Sequence, residues 1–353
     1  MAEGRQSFAA SLERAAAVLG SAADVALACH VNPAADALVS MLALSAFLRA
    51  RGVRTTCSFG NDPFELPRWA ALLPGTDALV EPKSFPAEPD ILVTCDTASL
   101  DRLGMLAPVA SRARQVVWID HHVSNDGLGT IPLIDPAASS TAEVVFRLME
   151  RVGGDIPTAS AACLYAGIIT DTGRFQYAAS TPETLRVAAE LRERDFDHVA
   201  LAQALYEDNS ASYLRLLATA FGRIVLEDGP GDGPGDGPGD GPGNGPGNGI
   251  IWTYLTQADL AEAGVGATET DDLIDIVRTA READVAVVVK QQRDGRFKVS
   301  MRSRGRHDVA SVAAAFGGGG HRLAAGYTSR FGLAETIERL RDALDATAAK
   351  QSS

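Results

Sequence analysis

Cysteine is scarce in this 353-residue chain: Cys29, Cys57, Cys95 and Cys163 are the only four, and no two stand in a Cys-x-x-Cys spacing. That argues against a disulfide-stapled scaffold and a thiolate zinc ribbon, and it suits buried free thiols in a reducing compartment. Positive charge is also short, with 32 lysines and arginines against 45 acids and a formal net charge of -13. Affinity for long nucleic acid comes mainly from basic groups displacing counterions, so this chain is not built to wrap a duplex, although a short phosphorylated ligand held through metal ions stays open. No apolar run approaches the roughly 20 residues that span a bilayer. The start, Met1-Ala2-Glu3-Gly4-Arg5, has no signal-peptide apolar region. A cytoplasmic protein with no membrane partner is the expectation.

What is present is a core-forming composition, 46% hydrophobic, in a chain long enough for two domains. After a helix-like stretch at 10–20, short apolar runs at 25–29, 54–59, 91–95 and 116–119 read as strands. Longer amphipathic stretches at 37–51, 141–152, 159–169, 183–193 and 197–207 read as helices. This alternation predicts the α/β class, with a parallel sheet covered by helices over residues 1–205. A connector is expected at 206–215 and a smaller mixed α/β domain at 216–350. That second domain should hold a helix near 269–281, strands at 284–291 and 296–302, a helix near 308–315 and a closing helix at 334–348.

Four copies of Asp-Gly-Pro-Gly, followed by Asn-Gly-Pro-Gly-Asn-Gly, fill residues 228–249. Such a composition buries too little apolar surface to fold. Its flanks, Arg223-Ile224-Val225-Leu226 and Ile250-Ile251-Trp252-Thr253-Tyr254, read as adjacent strands. The repeat is therefore expected to be a disordered hairpin insertion within the second domain rather than an interdomain linker or a calcium loop, whose ligand spacing it lacks.

Polar residues recur where apolar elements of the first domain end. Asp120-His121-His122 follows Val116-Val117-Trp118-Ile119, His30 and Asp36 follow Val25-Ala26-Leu27-Ala28-Cys29, Asp96 follows Ile91-Leu92-Val93-Thr94-Cys95, and Asp171 closes Ala166-Gly167-Ile168-Ile169-Thr170. Open parallel sheets build their sites at strand ends. Hard divalent ions favour carboxylates, and manganese accepts imidazole as well. Asp36, Asp96, His121 and Asp171 could hold one ion, and His30 with Asp96 could help hold a second, close enough for the pair to activate a water against a phosphoester. A lone aspartate after a strand is ordinarily a cap or turn residue; four such segments in one domain are hard to read that way. Towards the C-terminus, Phe316-Gly317-Gly318-Gly319-Gly320-His321-Arg322 offers backbone N–H groups and two charge-assisted donors to an anion, and Arg302 and Ser303 on the preceding strand could reach the same ligand.

The Asp120-His121-His122 triplet and the Gly317–Arg322 run together resemble the DHH phosphoesterase family with its associated C-terminal domain, over roughly residues 20–345. Within that family the arrangement is most similar to the nanoRNase/pAp phosphatase branch; other relatives cleave cyclic dinucleotides. The resemblance implies an active site in the cleft between two domains and manganese as cofactor, with magnesium as an alternative. It implies that His30 and Asp96 bind one ion and Asp36, Asp96, His121 and Asp171 the other. His122 would contact the scissile phosphate, with Asp120 behind it orienting the loop. Arg102 and Asn125 would touch substrate from the first domain, and Gly318, Gly319, Gly320 and His321 from the second. The family resemblance is also the sole pointer to a homodimer.

The first motif departs from the family pattern. Where the family has His-x-x-Pro-Asp-x-Asp-Ala followed two residues later by Gly-Ser, this chain has Pro33-Ala34-Ala35-Asp36-Ala37-Leu38-Val39-Ser40. Ala34 stands where an aspartate would ligate the first ion, and a methyl group cannot coordinate a cation. Attenuated phosphoesterase activity on nanoRNA or 3'-phosphoadenosine 5'-phosphate is therefore set against a catalytically silent nucleotide-binding protein, and against a pathway-specific phosphatase whose substrate supplies the missing ligand.

Overall fold

The computed structural model describes residues 2–67, 69–70, 73–125, 127–229 and 247–351. The chain divides into two units, Met1–Asp208 and Asn209–Ser353. The first opens on helix α1 (Ala2–Gly20) and continues through β1 (Asp24–Cys29), α2 (Ala35–Ala50), β2 (Arg54–Phe59), β3 (Ile91–Cys95), α3 (Ala107–Arg112), β4 (Gln115–Asp120) and β5 (Ile131–Ile134). It closes with four helices: α4 (Thr141–Val152), α5 (Thr158–Asp171), α6 (Pro182–Arg192) and α7 (His198–Tyr206).

Its five strands are all parallel and lie in the order β2-β1-β3-β4-β5. β1 and β3 are apolar and buried on both faces after their first residues, as inner strands of a covered sheet are. The chain leaves β1 towards one edge and returns at β3 to build the other, so the loops after these two strands diverge and leave a crevice at their carboxyl ends. Cys29 and Cys95 are register partners, which places His30 and Asp96, the next residues, side by side at that crevice. The expected strands and helices of this unit are all present. β5 was not foreseen, because its four residues include Pro132, which an edge strand tolerates.

All four cysteines are buried free thiols, and burial pushes Cys57 and Cys163 up to about 12. No helix among the described residues is long and apolar enough to cross a membrane.

The second unit begins with α8 (Ala211–Phe221), so the segment expected to be a connector already carries a helix capped by the Ser210 hydroxyl. There follow β6 (Val225–Glu227), β7 (Gly249–Leu255), α9 (Gln257–Ala263), α10 (Leu273–Val277), β8 (Ala283–Gln291), β9 (Phe297–Ser303), α11 (Val309–Ala315), β10 (Gly319–His321), β11 (Ala324–Ser329) and α12 (Leu333–Gln351). The mixed sheet runs β10-β11-β9-β8-β7-β6, parallel only between β7 and β8. β6 and β7 pair antiparallel from Val225 opposite Trp252 to Glu227 opposite Ile250, as the hairpin reading of the repeat requires. The expected disorder of the repeat itself concerns residues 230–246, which lie outside the described residues. The helix expected near 269–281 is instead a 3-10 turn, Ala267–Thr270, followed by the short α10. Between them Asp271 is drawn to Lys290 and Lys298, and Asp272 accepts the Tyr213 hydroxyl.

Candidate metal centre

Asp36 sits in the first turn of α2 and is buried, yet its carboxylate is well supplied with donors. The backbone N–H groups of Thr141 and Ala142, at the start of α4, donate to it at 2.7 and 3.0 Å, and the Ser40 hydroxyl lies 3.3 Å away. Unpaired N–H groups at a helix start suit an anion. That helix start is itself anchored: Ser140 accepts the Glu143 N–H, and the buried Glu143 carboxylate accepts the N–H and hydroxyl of Ser139 and the hydroxyl of Thr184. On the other side α5 comes close at Gly167, where a Cβ would fall 2.6 Å from the Asp36 Oδ1. Asp171 is the last residue of the same helix. Thr141 also donates its hydroxyl to Asp96 at 2.9 Å, so one residue fixes two carboxylates.

The histidines face these acids with one ring nitrogen each already engaged. His30 Nδ1 lies 2.8 Å from the Val31 carbonyl, and its Nε2 is 3.6 Å from Asp96. His121 Nδ1 is 3.4 Å from the Ala138 carbonyl, while its Nε2 lies 3.3 Å from Asp171 and 3.7 Å from Asp96. An Nδ1–H held by a carbonyl, with Nε2 turned to carboxylates, is how metal-binding histidines are commonly oriented. His122 differs: its Nδ1 is 2.7 Å from Asp120 and 3.5 Å from Asp96. Asp120 is fully buried and also accepts the N–H groups of His121 and His122 and the Asn125 amide, so it orients the triplet.

The charges are unbalanced. Burial, reinforced by Asp96 and Asp171, pushes the Asp36 carboxyl well above the usual range, and burial lifts Asp171 to about 6 against the pull of His121. Asp96 goes the other way: burial opposes it, but the His30 hydrogen bond and the charges of His122 and His121 hold it below the ordinary carboxylate range. Burial acts against the protonated forms of both triplet histidines, yet Asp171 and Asp96 raise His121, and the Asp120 hydrogen bond and Asp96 raise His122 to about 9. Buried acids lifted by one another lack positive charge, and a divalent cation among them supplies it. Among the described residues, ligand atoms of Asp36, His121 and Asp171 converge within 4.8 Å, as do those of Asp96, His121 and His122. The donor set therefore fits a hard divalent ion. His30 belongs to neither group, and Ala34, exposed at the N-cap of α2, adds no donor.

Structure redistributes the expected substrate contacts. Arg102 stays at the site, with Nη2 3.2 Å from His30 Nδ1. Asn125 is engaged in its own loop, donating to Asp120 and the Thr97 carbonyl and accepting from Gly127. In the second unit, Ser303 is buried, donates to Asp284 and accepts the N–H groups of Gly305 and His307, so its hydroxyl anchors its own loop. Arg302 lies 3.6 Å from Asp275, and Arg322 donates to the Gly305 carbonyl. Within the glycine run, a Cβ on Gly318 or Gly320 would strike β11 at 2.2 or 2.5 Å, so these two glycines are required for the close β10–β11 pairing, whereas Gly319 faces open space.

The sequence reading passed over Thr141 and the loop after Asp171. Ser139-Ser140-Thr141 ahead of an amphipathic helix was a legible cap, but its reach to Asp36, 105 residues upstream, was not. Arg174 and Phe175 hold left-handed backbone at φ 60 and 64, rare for side-chain-bearing residues, fastened by the Arg174 N–H to the Ile169 carbonyl and the Phe175 N–H to the Thr172 hydroxyl. The Arg174 guanidinium stacks 4.3 Å from the centre of the Tyr206 ring.

Residues 24–168 match the N-terminal domain of the DHH family, and residues 248–350 match the DHHA1 domain. Over 319 residues the chain is 31% identical to a bifunctional oligoribonuclease and PAP phosphatase, NrnA, from Thermus thermophilus, covering 90% of this chain and 88% of that one. It is 27% identical over 240 residues to the protein of the same name from Bacillus subtilis, covering 67% and 69%. Among solved structures, an exopolyphosphatase-related protein from Bacteroides fragilis shares the fold, with a TM-score of 0.83 at 23% identity over 98% of both chains.

Proposed function

The chain belongs to the DHH family, in its nanoRNase/pAp phosphatase-like branch, and from that premise we propose that it is a phosphoesterase dependent on manganese or magnesium that hydrolyses very short oligoribonucleotides, 3'-phosphoadenosine 5'-phosphate, or both. The observation that carries this reading is the convergence of Asp36, Asp96, His121 and Asp171 at the carboxyl ends of β1, β3 and β4 and the end of α5. Asp36, His121 and Asp171 would hold one divalent ion, with Asp96 beside them; His30 and Asp96 would contribute to a weaker second. Such an ion, when bound, supplies charge neutralisation for phosphoryl oxygens and acidification of a nearby water. The protein's own part is positional. Thr141 and the start of α4 hold two carboxylates in place, and Asp120 aims His122 at the scissile phosphate. Arg102, beside His30, is assigned to a substrate phosphate, and in the second unit His321 and Arg322, with the backbone of Gly318–Gly320 and the neighbouring Arg302, are assigned to another.

A second reading, a nucleotide-binding protein without catalysis, is favoured by one observation: Ala34 leaves His30 and Asp96 without a third donor among the described residues. Hydrolysis of 3'-phosphoadenosine 5'-phosphate, the dinucleotide pApA and bis(p-nitrophenyl) phosphate, with manganese, by the chain and by Ala34→Asp separates the two. Turnover by the unaltered chain supports the enzyme; turnover only after Ala34→Asp supports the silent binder. Metal analysis gives an independent check, since loss of a ligand predicts about one tightly held ion per chain, rising towards two in Ala34→Asp.

A further inference from the structure

Of the three acids at the metal centre, Asp171 has the least hydrogen-bond support. Asp36 is held by two backbone N–H groups and Asp96 by the Thr141 hydroxyl, whereas among the described residues the Asp171 carboxylate meets the His121 ring at 3.3 Å and no backbone or hydroxyl donor. Asp171 is also the last residue of α5, and helix ends fray unless their free carbonyls are taken up. Its place is therefore set by what holds that end.

Gly173, Arg174 and Phe175 follow it with φ of 55, 60 and 64, consecutive residues in the left-handed region, and for Arg174 and Phe175 that conformation persists only where surrounding contacts offset its cost. Some of those contacts are local. The Thr172 hydroxyl accepts the Phe175 N–H at 3.0 Å and donates to the Ile168 carbonyl at 2.6 Å, and the Thr172 carbonyl accepts the N–H groups of Gln176 and Tyr177. Another comes from α7. Tyr206, the last residue of that helix, donates its hydroxyl to the Ile169 carbonyl at 3.0 Å, the same oxygen that accepts the Arg174 N–H at 2.7 Å, and its ring lies under the Arg174 guanidinium. Ile169 stands two residues before Asp171 and Arg174 three after it, so one side chain grips the backbone on both sides of the acid. We propose that Tyr206 is a positioning residue for Asp171: it holds the left-handed turn closed, keeps the carboxylate aimed at the metal, and makes affinity for the ion depend on α7. The inference rests on the phosphoesterase reading for Asp171 as a metal ligand. The competing account is plain packing, in which Tyr206 stabilises the fold without reference to Asp171.

A double-mutant cycle, read by calorimetric titration of the full chain with manganese, separates the two. Tyr206→Phe keeps the ring beneath Arg174 and removes the hydroxyl. Manganese affinity should fall about tenfold, the lower end of the range for groups that support metal ligands. Arg174→Gln, at an exposed position, takes the cation off the ring and should weaken binding in the same direction. In an Asp171→Asn background, itself a weaker binder, Tyr206→Phe should change affinity by less than about twofold, because the carboxylate it serves is gone. Unchanged affinity in Tyr206→Phe, or the same loss in both backgrounds, would overturn the positioning role and leave the metal site standing. Manganese bound as tightly by Asp171→Asn as by the unaltered chain would remove Asp171 from the centre and overturn both. A cycle that holds in a chain that hydrolyses no ester keeps the positioning role and refutes the enzyme.

Discussion

Thr141 shows how much of a metal centre lies in residues that never ligate. Its backbone N–H holds Asp36 and its hydroxyl holds Asp96, so the geometry between two carboxylates from different elements passes through one residue. Thr141→Val keeps the shape and the N–H but removes the hydroxyl. Manganese affinity, measured by titration calorimetry, should fall about 10- to 100-fold, the range for groups that support metal ligands. Thr141→Ser should restore it, and unchanged affinity in Thr141→Val would mean that the hydroxyl does not position Asp96. At this scale the sequence was legible where chemistry is local to a motif: Asp36, Asp96, His121 and Asp171, candidates read from acids and imidazoles at element ends, fall in the two convergent groups, whereas His30 does not. It was not legible where a polar side chain has two possible uses. Nothing in the order of residues distinguishes an Asn125 that meets substrate from one that donates to Asp120, or a Ser303 on a strand surface from one buried against Asp284.

Between elements, a tight constraint near the site is the approach of α5 to α2. At Gly167 a Cβ would lie 2.6 Å from Asp36, 2.7 Å from Ala142 and 2.9 Å from Val39, three contacts from two other helices. Val39 is fully buried here, and the absent side chain at Gly167 leaves room for it. Gly167→Ala should destabilise the protein by about 1–3 kcal/mol, the usual cost of overpacking, and weaken manganese binding by displacing Asp36. Urea unfolding with a loss below about 0.5 kcal/mol would show that the helices separate without strain. The β6–β7 hairpin makes the opposite claim, of tolerance. Gly229 and Asn248 lie close enough that a Cβ on Gly229 would meet the Asn248 backbone at 1.8 Å, so the chain re-enters the sheet where it left. Joining Gly229 to Gly247 by deleting 230–246 should change stability by no more than about 1.5 kcal/mol, because the loop shortens by little more than two halvings and each doubling of loop length costs only about 0.6 kcal/mol. A thermal melt and a hydrolysis assay of the deletion check this, and loss of either fold or activity would assign the segment a role.

For the whole chain, the division at Asp208 and Asn209 has a thermodynamic consequence. All the metal-ligand candidates lie in the first unit, so a cation that binds only the folded state should stabilise that unit alone. At one hundred times its dissociation constant, manganese should add about 2.7 kcal/mol to the first unit, a rise of roughly 5–10 °C in its melting transition. Calorimetry with manganese and after chelation should show one transition that moves and one that stays. Asp171→Asn should shrink the shift, and a shift of both transitions alike would show that the two units unfold together.

By itself the sequence determined the α/β class, four of the five strands and six of the seven α-helices of the first unit, and the ligand candidates. Each of these depends on short-range order: hydrophobic period, element ends and the chemistry of neighbouring residues. Only the tertiary structure decided that β1 and β3 are neighbours, which brings His30 beside Asp96, and that the start of α4 clamps Asp36. Strand order, helix approach and loop crossing are set by contacts between residues tens to a hundred positions apart, and periodicity along the chain carries no record of which distant partner a buried polar group will meet.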